Sequence, residues 1–457
     1  MVIDGKVIES VKNADGEYDE FKLANLLATI ITTHREPKNA EYDKAWKYYR
    51  GEHDILKRTR KSSGVANNKA VCNFPKYITE MTTAFIVGNP VTYSVANEID
   101  ISAINEIYVK NDMSTMDAEL EKSMSIYGKA YELIYADEKS RPRSCVIDVR
   151  NAFVCYTDTA TYTPIFGVHY YKRYDVENFC IGIVCNVYTD AEVITFEYNT
   201  ENWAAMRITE RIPHYFGIVP LIEYRNNKAE MGDFTDVISL IDSYNLLQSD
   251  RINDKEQFVD AFLFLTGCDV DSEQAKKLRE ERILMGYEGA DAKYLSKVLS
   301  EADTEILRNS LREDILMFAM VPDMSNDKFG TQISGVAMRY KILSILQHIA
   351  DKERYFCKGL RRRLEGYNNY LALRGTMGAV DTELIQIVFT PNIPANTLET
   401  AQIIELLTGK VSDKTLISQL EFVNDPEAEI EAVKKQVSET EAVRAEANRE
   451  LLEGGGF

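Results

Sequence analysis

The sequence predicts an α+β protein in which one antiparallel β region is set between long helical segments. Three observations carry that reading. Between about Lys129 and Tyr224 the chain breaks into short alternating or β-branched runs (AYELIYA, SCVIDV, AFVCYT, IFGVHYYKRY, CIGIVCNVYT, EVITFEY, MRITERI, PLIEY), joined by turn-forming stretches such as TDTATYTP and YNTEN. No helical pattern long enough for a βαβ crossover lies between them, which excludes a doubly wound nucleotide-binding sheet. On either side, apolar residues recur at three- and four-residue steps over lengths that only helices fill.

From the N-terminus, residues 18–50 read as helical through Phe21, Leu23, Leu26, Leu27, Ile30 and Ile31, then Tyr42, Trp46 and Tyr49, and Gly51 ends the run. From Arg58 to Asn73 the composition is that of a loop. Its basic cluster, Lys57, Arg58, Arg60 and Lys61, fits either a nucleic-acid contact or a solvated or inter-subunit face. A helix from Phe74 through Ile78, Met81, Phe85 and Ile86 is stopped by Gly88, Asn89 and Pro90, ahead of a short strand, VTYSV. The chain from Ile101 to Tyr127 is helical again.

Beyond the β region, 236–265 reads as one helix without proline or glycine, closed by Gly267. Its middle, QSDRINDKEQ, is almost wholly charged or polar, so it is expected to cross a solvated zone or an inter-subunit surface. Residues 266–299 form a small charged module with a strand candidate, RILMGYEG. A second helix occupies 300–321, Pro322 stops it, and 322–335 has turn-forming composition. The longest helix is expected from about Val336 to Leu373, with Arg361, Arg362 and Arg363 placed to complement its C-terminal dipole. A strand, ELIQIVF, completes 336–394, and 395–457 reads as short helices and an acidic tail.

The 457 residues carry 53 basic and 72 acidic side chains, a formal charge of −19, which counts against coating nucleic acid by phosphate neutralisation. With 45% hydrophobic and 27% charged residues, wholesale disorder is excluded, and the length fits two to four structural units. No secretory signal is visible, and no apolar stretch of about 18 residues offers a membrane span. The seven cysteines are scattered without a CxxC pair and read as reduced thiols.

Catalytic signatures are absent. There is no GxxxxGK[ST], HExxH or GxSxG, and the histidines, His34, His53, His169, His214 and His348, are too dispersed to suggest a metal site. Acidic pairs such as Asp250/Asp254 and Asp323/Asp327 read as solvated faces. No catalytic residue, metal or cofactor is expected.

Four parts of the chain resemble the portal proteins, or head-to-tail connectors, of tailed bacteriophages, of the kind found in long-tailed phages of Gram-positive hosts. They are YYRGEHDIL (48–56) with NNKAVCNFPKYITEMTTAFIVGNPVTYS (67–94), YGKAYELIYAD (127–137) with GIVPLIEYRNN (217–227), SYNLLQSDRINDKEQFVDAFLFLTG (243–267) and VPDMSNDKFGTQISGVAMRYKI (321–342). The resemblance implies a ring, expected to be dodecameric, at one capsid vertex, through which double-stranded DNA is packaged and later ejected. It implies a wing over 1–235 completed by 336–394, a stem of two helices (236–265 and 300–321), a clip at 266–299, a tunnel loop at 322–335 and a crown with acidic tail at 395–457. It also implies partners: the terminase large subunit, scaffolding and major capsid proteins, and a head-completion or adaptor protein. The location implied is the virion, after assembly in the host cytoplasm; no enzyme activity, cofactor or membrane is implied.

Within that frame Lys328, with Asn326 and Gln332, is the candidate DNA contact in the tunnel loop, unless Lys328 pairs with Asp323 or Asp327. Arg251, Asp254, Lys255 and Glu256 are expected to pair between neighbouring subunits or to face the channel. Lys276, Lys277, Arg279, Glu280 and Arg282 are candidates for docking partners at the clip. The competing readings are a metal-dependent nucleic-acid-processing enzyme with a β-rich catalytic domain, and a monomeric scaffold or adaptor.

Overall fold

A computed structural model describes residues 1–36, 38–59, 66–95, 100–259, 262–266, 291–295, 301–324, 340–376, 378, 380–392, 397–417, 420, 423, 426 and 429–436. The chain divides into two compact units, Met1–Ser325 with Ile342–Asn392, and Asn326–Lys341 with Ile393–Phe457.

In the first unit the β region forms two sheets. The larger has the order β1-β5-β6-β7-β8-β9, with β1 Val2–Ile3, β5 Ala152–Thr157, β6 Pro164–Tyr174, β7 Cys180–Tyr188, β8 Glu192–Tyr198 and β9 Arg207–Pro213. Strands β5 to β9 are antiparallel neighbours in sequence order, whereas β1 joins parallel to β5 from the far N-terminus. The smaller sheet has the order β10-β3-β4, with β3 Lys129–Ala136, β4 Pro142–Ile147 and β10 Leu221–Arg225. Two isolated strands pair with each other: β2, Thr92–Val95, lies antiparallel to β13, Ile385–Val388.

Each sheet needs a helix to cover its apolar face. After the short α1 (Gly5–Ser10), α2 (Glu20–Arg35) sets Leu23, Leu27, Ile30 and Ile31 against Phe153, Phe166, Val168, Ile183, Cys185 and Phe196 of the larger sheet. Asp19 caps it by accepting the Lys22 N–H at 3.0 Å. The run read as one helix over 18–50 is broken after Glu36, and α3 covers Lys38–Tyr49. Pro37 has no N–H to donate, so the hydrogen-bond ladder of α2 cannot continue through it. The 101–127 run likewise divides into α5 (Ser102–Lys110) and α6 (Met113–Tyr127) at Asp112, whose φ is 49°. Gly128 then ends α6 at φ 80°, where a β-carbon would run into the backbone of Glu230.

Between α3 and α5 lies α4 (Phe74–Val87), capped by Asn73. The longest helix, α9 (Leu343–Leu373), lies against the smaller sheet; Gly359 meets the Tyr224 ring and Gly366 the Ile134 side chain. In the second unit α10 spans Thr397–Leu407 and α11 Asp413–Ile417.

A further element differs from its expectation. The helix read over 236–265 runs only from Ile238 to Val259 (α7), and Phe262–Thr266 is a strand, β11, paired antiparallel with β12 (Asp291–Leu295). A run such as FLFL suits a buried helix and a strand equally, and its strand partner lies beyond the reach of local periodicity. The chain then returns in α8, Glu301–Phe318. The strand candidate RILMGYEG lies outside the described residues.

Candidate functional site

Helices α7 and α8 are an antiparallel pair of about 33 and 27 Å at 1.5 Å rise per residue. One end of the pair is rooted in a core that joins Phe234, Val237, Ile241 and Tyr244 to Ile315, Ala319, Ile78 and Tyr48. The other end leads towards the antiparallel pair β11–β12. The pair is thus a rod fixed at its base.

A buried polar stripe crosses the middle of this rod. Asn245, Ser249 and Asn253, one helical turn apart, are each no more than 1% exposed. An extended segment, 68–72, lies along them: Cys72 N donates to Asn245 Oδ1 at 2.8 Å, Ala70 N to Ser249 Oγ at 3.0 Å and Asn68 N to Asn253 Oδ1 at 2.6 Å. The match is geometric. Every second residue of an extended chain advances about 6.7 Å and every fourth of a helix about 6 Å, so three donors meet three acceptors in register. Asn245 also donates to His53 Nδ1 at 2.8 Å while His53 Nε2 bonds the Tyr48 carbonyl at 2.9 Å. Burial lowers the His53 pKa, in keeping with a neutral imidazole whose proton sits on Nε2. The polar middle of the helix, expected to lie in solvent or between subunits, is partly occupied by the chain's own backbone.

The outer face of the rod carries ion pairs. Arg251 bridges Glu301 at 2.5 Å and Glu305 at 2.9 Å on α8, and Lys255 reaches Glu301 at 3.2 Å. Glu256 accepts from Asn68 Nδ2 at 2.5 Å, and Asp254 is half-buried on the same helix. Of the four stem candidates, then, Arg251 and Lys255 converge on one carboxylate within the chain. In the basic cluster, Arg58 pairs with Asp250 at 2.7 Å and Lys57 with Asp54 at 2.5 Å. Asp323, weighed as a partner for Lys328, is bound by Arg312 at 2.6 Å. Asn326, Lys328 and Gln332, and Lys276, Lys277, Arg279, Glu280 and Arg282, lie outside the described residues.

Two buried charge clusters pin α9 to the rest of the first unit. Arg363, fully buried, donates to both oxygens of Glu132 at 2.9 Å and to Asp117 at 2.7 Å; Tyr224 and Ser144 also donate to Glu132, each at 2.5 Å. This corrects the dipole reading of the arginines, because the helix continues to Leu373 and terminal dipole effects fade within one turn. Eleven residues earlier, Lys352 sits between Glu121 at 2.5 Å and Asp233 at 2.7 Å, with His348 at 3.3 Å from Asp233. Burial pushes Glu121 up to about 7 against the pull of Lys352. Burial acts the same way on Asp233, but Lys352 and His348 outweigh it and hold its pKa well below the usual carboxylate range. Both clusters were missed in the sequence; the only signal was a basic residue on the apolar face of α9 at each site.

Chemically these are braces. Each cation is held between two carboxylates of its own cluster, and among the described residues no group of three His, Cys, Asp or Glu side chains is placed to hold a metal ion. A family model described as "Phage portal protein, SPP1 Gp6-like" matches residues 29–442. The chain belongs to this portal protein family. The resemblance read from the four stretches is thereby borne out. The portal protein of Bacillus phage SPP1 is 24% identical over 448 residues, covering 90% of this chain and 86% of that protein. The portal protein of Clostridium phage phiCD119 is 22% identical over 427 residues, covering 85% and 91%. Among solved structures, the virion of a native gene transfer agent particle gives a TM-score of 0.42 at 12% identity, covering 86% of this portal chain and 97% of that chain. The neck of an empty gene transfer agent particle gives 0.40 at 13% identity, covering 75% and 86%.

Proposed function

We propose that copies of this chain close into a ring, expected to be dodecameric, at one vertex of a phage capsid, and that double-stranded DNA enters and later leaves through its centre. The observation that carries the proposal is the portal family match over residues 29–442. In this reading α7 and α8 are the stem, the β11–β12 pair belongs to the clip, and the two sheets with α9 form the wing. During filling the clip would dock the large subunit of a terminase, which would supply the ATPase, and afterwards a head-completion or adaptor protein. Scaffolding and major capsid proteins would surround the wing, with assembly in the host cytoplasm.

Physical chemistry favours an acidic channel for this task. A ladder of strong phosphate contacts must be broken as the duplex advances, whereas a net charge of −19 per chain gives a wall that DNA slides past. A few contacts in the 322–335 loop, Lys328 first and Asn326 and Gln332 after it, would then steady the duplex. Electron microscopy and native mass measurement of the purified chain, over a range of salt and concentration and with scaffold added, test the ring; a single-chain mass under every condition overturns it. Reversing Lys328 to Glu should alter packaged DNA length or retention while rings still assemble. Unchanged packaging and infectivity would remove Lys328 from the channel.

A further inference from the structure

At the C-terminal end of α8 a cleft and an exposed aromatic side chain lie on opposite sides of one helix. The cleft, about 400 Å³, is lined by Cys72, Phe74, Tyr77, Arg312, Leu316 and Met324, among others. Its polar groups are already occupied. Tyr77 donates to the Pro322 carbonyl at 2.9 Å and accepts from Met324 N at 3.3 Å, and Arg312 is paired with Asp323 at 2.6 Å. What the walls offer an incoming group is therefore aromatic, aliphatic and thiol surface, suited to an apolar side chain.

The complementary group is on the same helix. Phe318 and Met317 are 61% and 62% exposed, although Ile315, Leu316 and Ala319 beside them are buried. Two helical residues are about 200° apart around the axis, so Phe318 projects on the far side of α8 from Leu316, at nearly the same height. A large aromatic left in water next to a second apolar side chain marks a contact surface.

We propose that Phe318, backed by Met317, of one copy enters the Cys72–Phe74–Tyr77–Leu316 cleft of the next. The proposal rests on the ring reading above and names the contact that closes it. A knob and a hole on opposite sides of one helix cannot satisfy each other within a two-fold dimer through a single patch; they match head to tail, which generates a ring when the rotation closes. Every knob and every hole is then used.

Cys72 supplies the test. Full-length Phe318→Cys protein, shown by electron microscopy to form rings, is treated with a short bismaleimide and run on a denaturing gel. The expected result is a ladder of covalently linked dimers, trimers and higher species, absent when Cys72 is also changed to Ser. Rings that yield only single-chain bands overturn the contact while leaving the ring reading standing; a native chain that never forms rings overturns both. Maleimide labelling of Cys72 in the otherwise native chain should be fast in the free subunit and suppressed in rings. Equal protection in both would mean that the chain fills its own cleft, which also overturns the proposal. Phe318→Ala should raise the concentration for half-assembly about tenfold, and Phe318→Leu should restore part of it. Because the side chain is exposed, thermal unfolding of the free subunit should not move; an unchanged half-assembly concentration in Phe318→Ala sinks the idea.

Discussion

Ser249 holds the backbone N–H of Ala70 at 3.0 Å through its hydroxyl, and the same hydroxyl donates to the carbonyl of Asn245 at 2.7 Å. The pair is the middle rung of the 68–72 segment on α7, and it shows why a helix with a polar centre is stable here. Removing the hydroxyl leaves an amide facing a buried wall with no acceptor. Ser249→Ala should therefore cost about 1–3 kcal/mol in urea unfolding of the free subunit, more than an exposed serine such as Ser243. Equal costs at the two positions would mean that the segment is not bound to the helix in solution.

Arg251 offers the opposite case. Its bridges to Glu301 and Glu305 link α7 to α8 on the outside, where water and salt screen them. Arg251→Ala should lower the Tm of the free subunit by no more than about 2 °C, with the difference shrinking at high salt. Ring formation should be unaffected, because both carboxylate partners lie in the same chain. A marked loss of assembly would instead place Arg251 between subunits.

The Lys352 cluster carries a pH signature. Glu121 is pushed up to about 7 by burial, against an ordinary value near 4.5, so its protonated form is the one the fold favours. That stability is fully present below about pH 4.5 and is lost as pH rises through 7. Asp233, held low, acts in the other direction, and only below its ordinary range. From pH 5 to 8.5, Glu121→Gln should consequently gain on the native chain by about 2–3 kcal/mol in unfolding free energy. Parallel stability curves over that interval would show that Glu121 is ionised throughout.

Much of the fold was legible because its signals are local. Short alternating or β-branched runs located strands such as Ile183–Val187 and Ile194–Phe196, and three- and four-residue steps located α2, α4 and α9. Information carried by distant partners was not legible. Nothing near Val2 announces a parallel pairing with Tyr156, and nothing near Phe262 announces Leu295. At the site, the polar letters of QSDRINDKEQ suggested water, but Ser249 and Asn253 face a backbone nearly two hundred positions earlier in the chain. Arg363 misled for the same reason: its meaning depends on Asp117 and Glu132, whose proximity only the tertiary fold creates.

The approach of α9 to the smaller sheet gives the last prediction. Gly359 lies against the ring of Tyr224, and that ring cannot turn aside, since its hydroxyl donates to Glu132 at 2.5 Å and Glu132 is gripped by Arg363. In an isolated helix, exchanging glycine for alanine would stabilise by about 1 kcal/mol. Here the added methyl must displace a buried tyrosine or the helix itself, and overpacking of this kind costs about 1–3 kcal/mol, set against that propensity gain. Gly359→Ala should thus destabilise the free subunit despite its better helix propensity. The physical cause is separable: in Gly359→Ala/Tyr224→Leu, where the ring is gone, the two changes should cost measurably less than their sum. Strict additivity would mean that the methyl is accommodated without touching Tyr224, and that α9 sits farther from the sheet than its two glycines indicate.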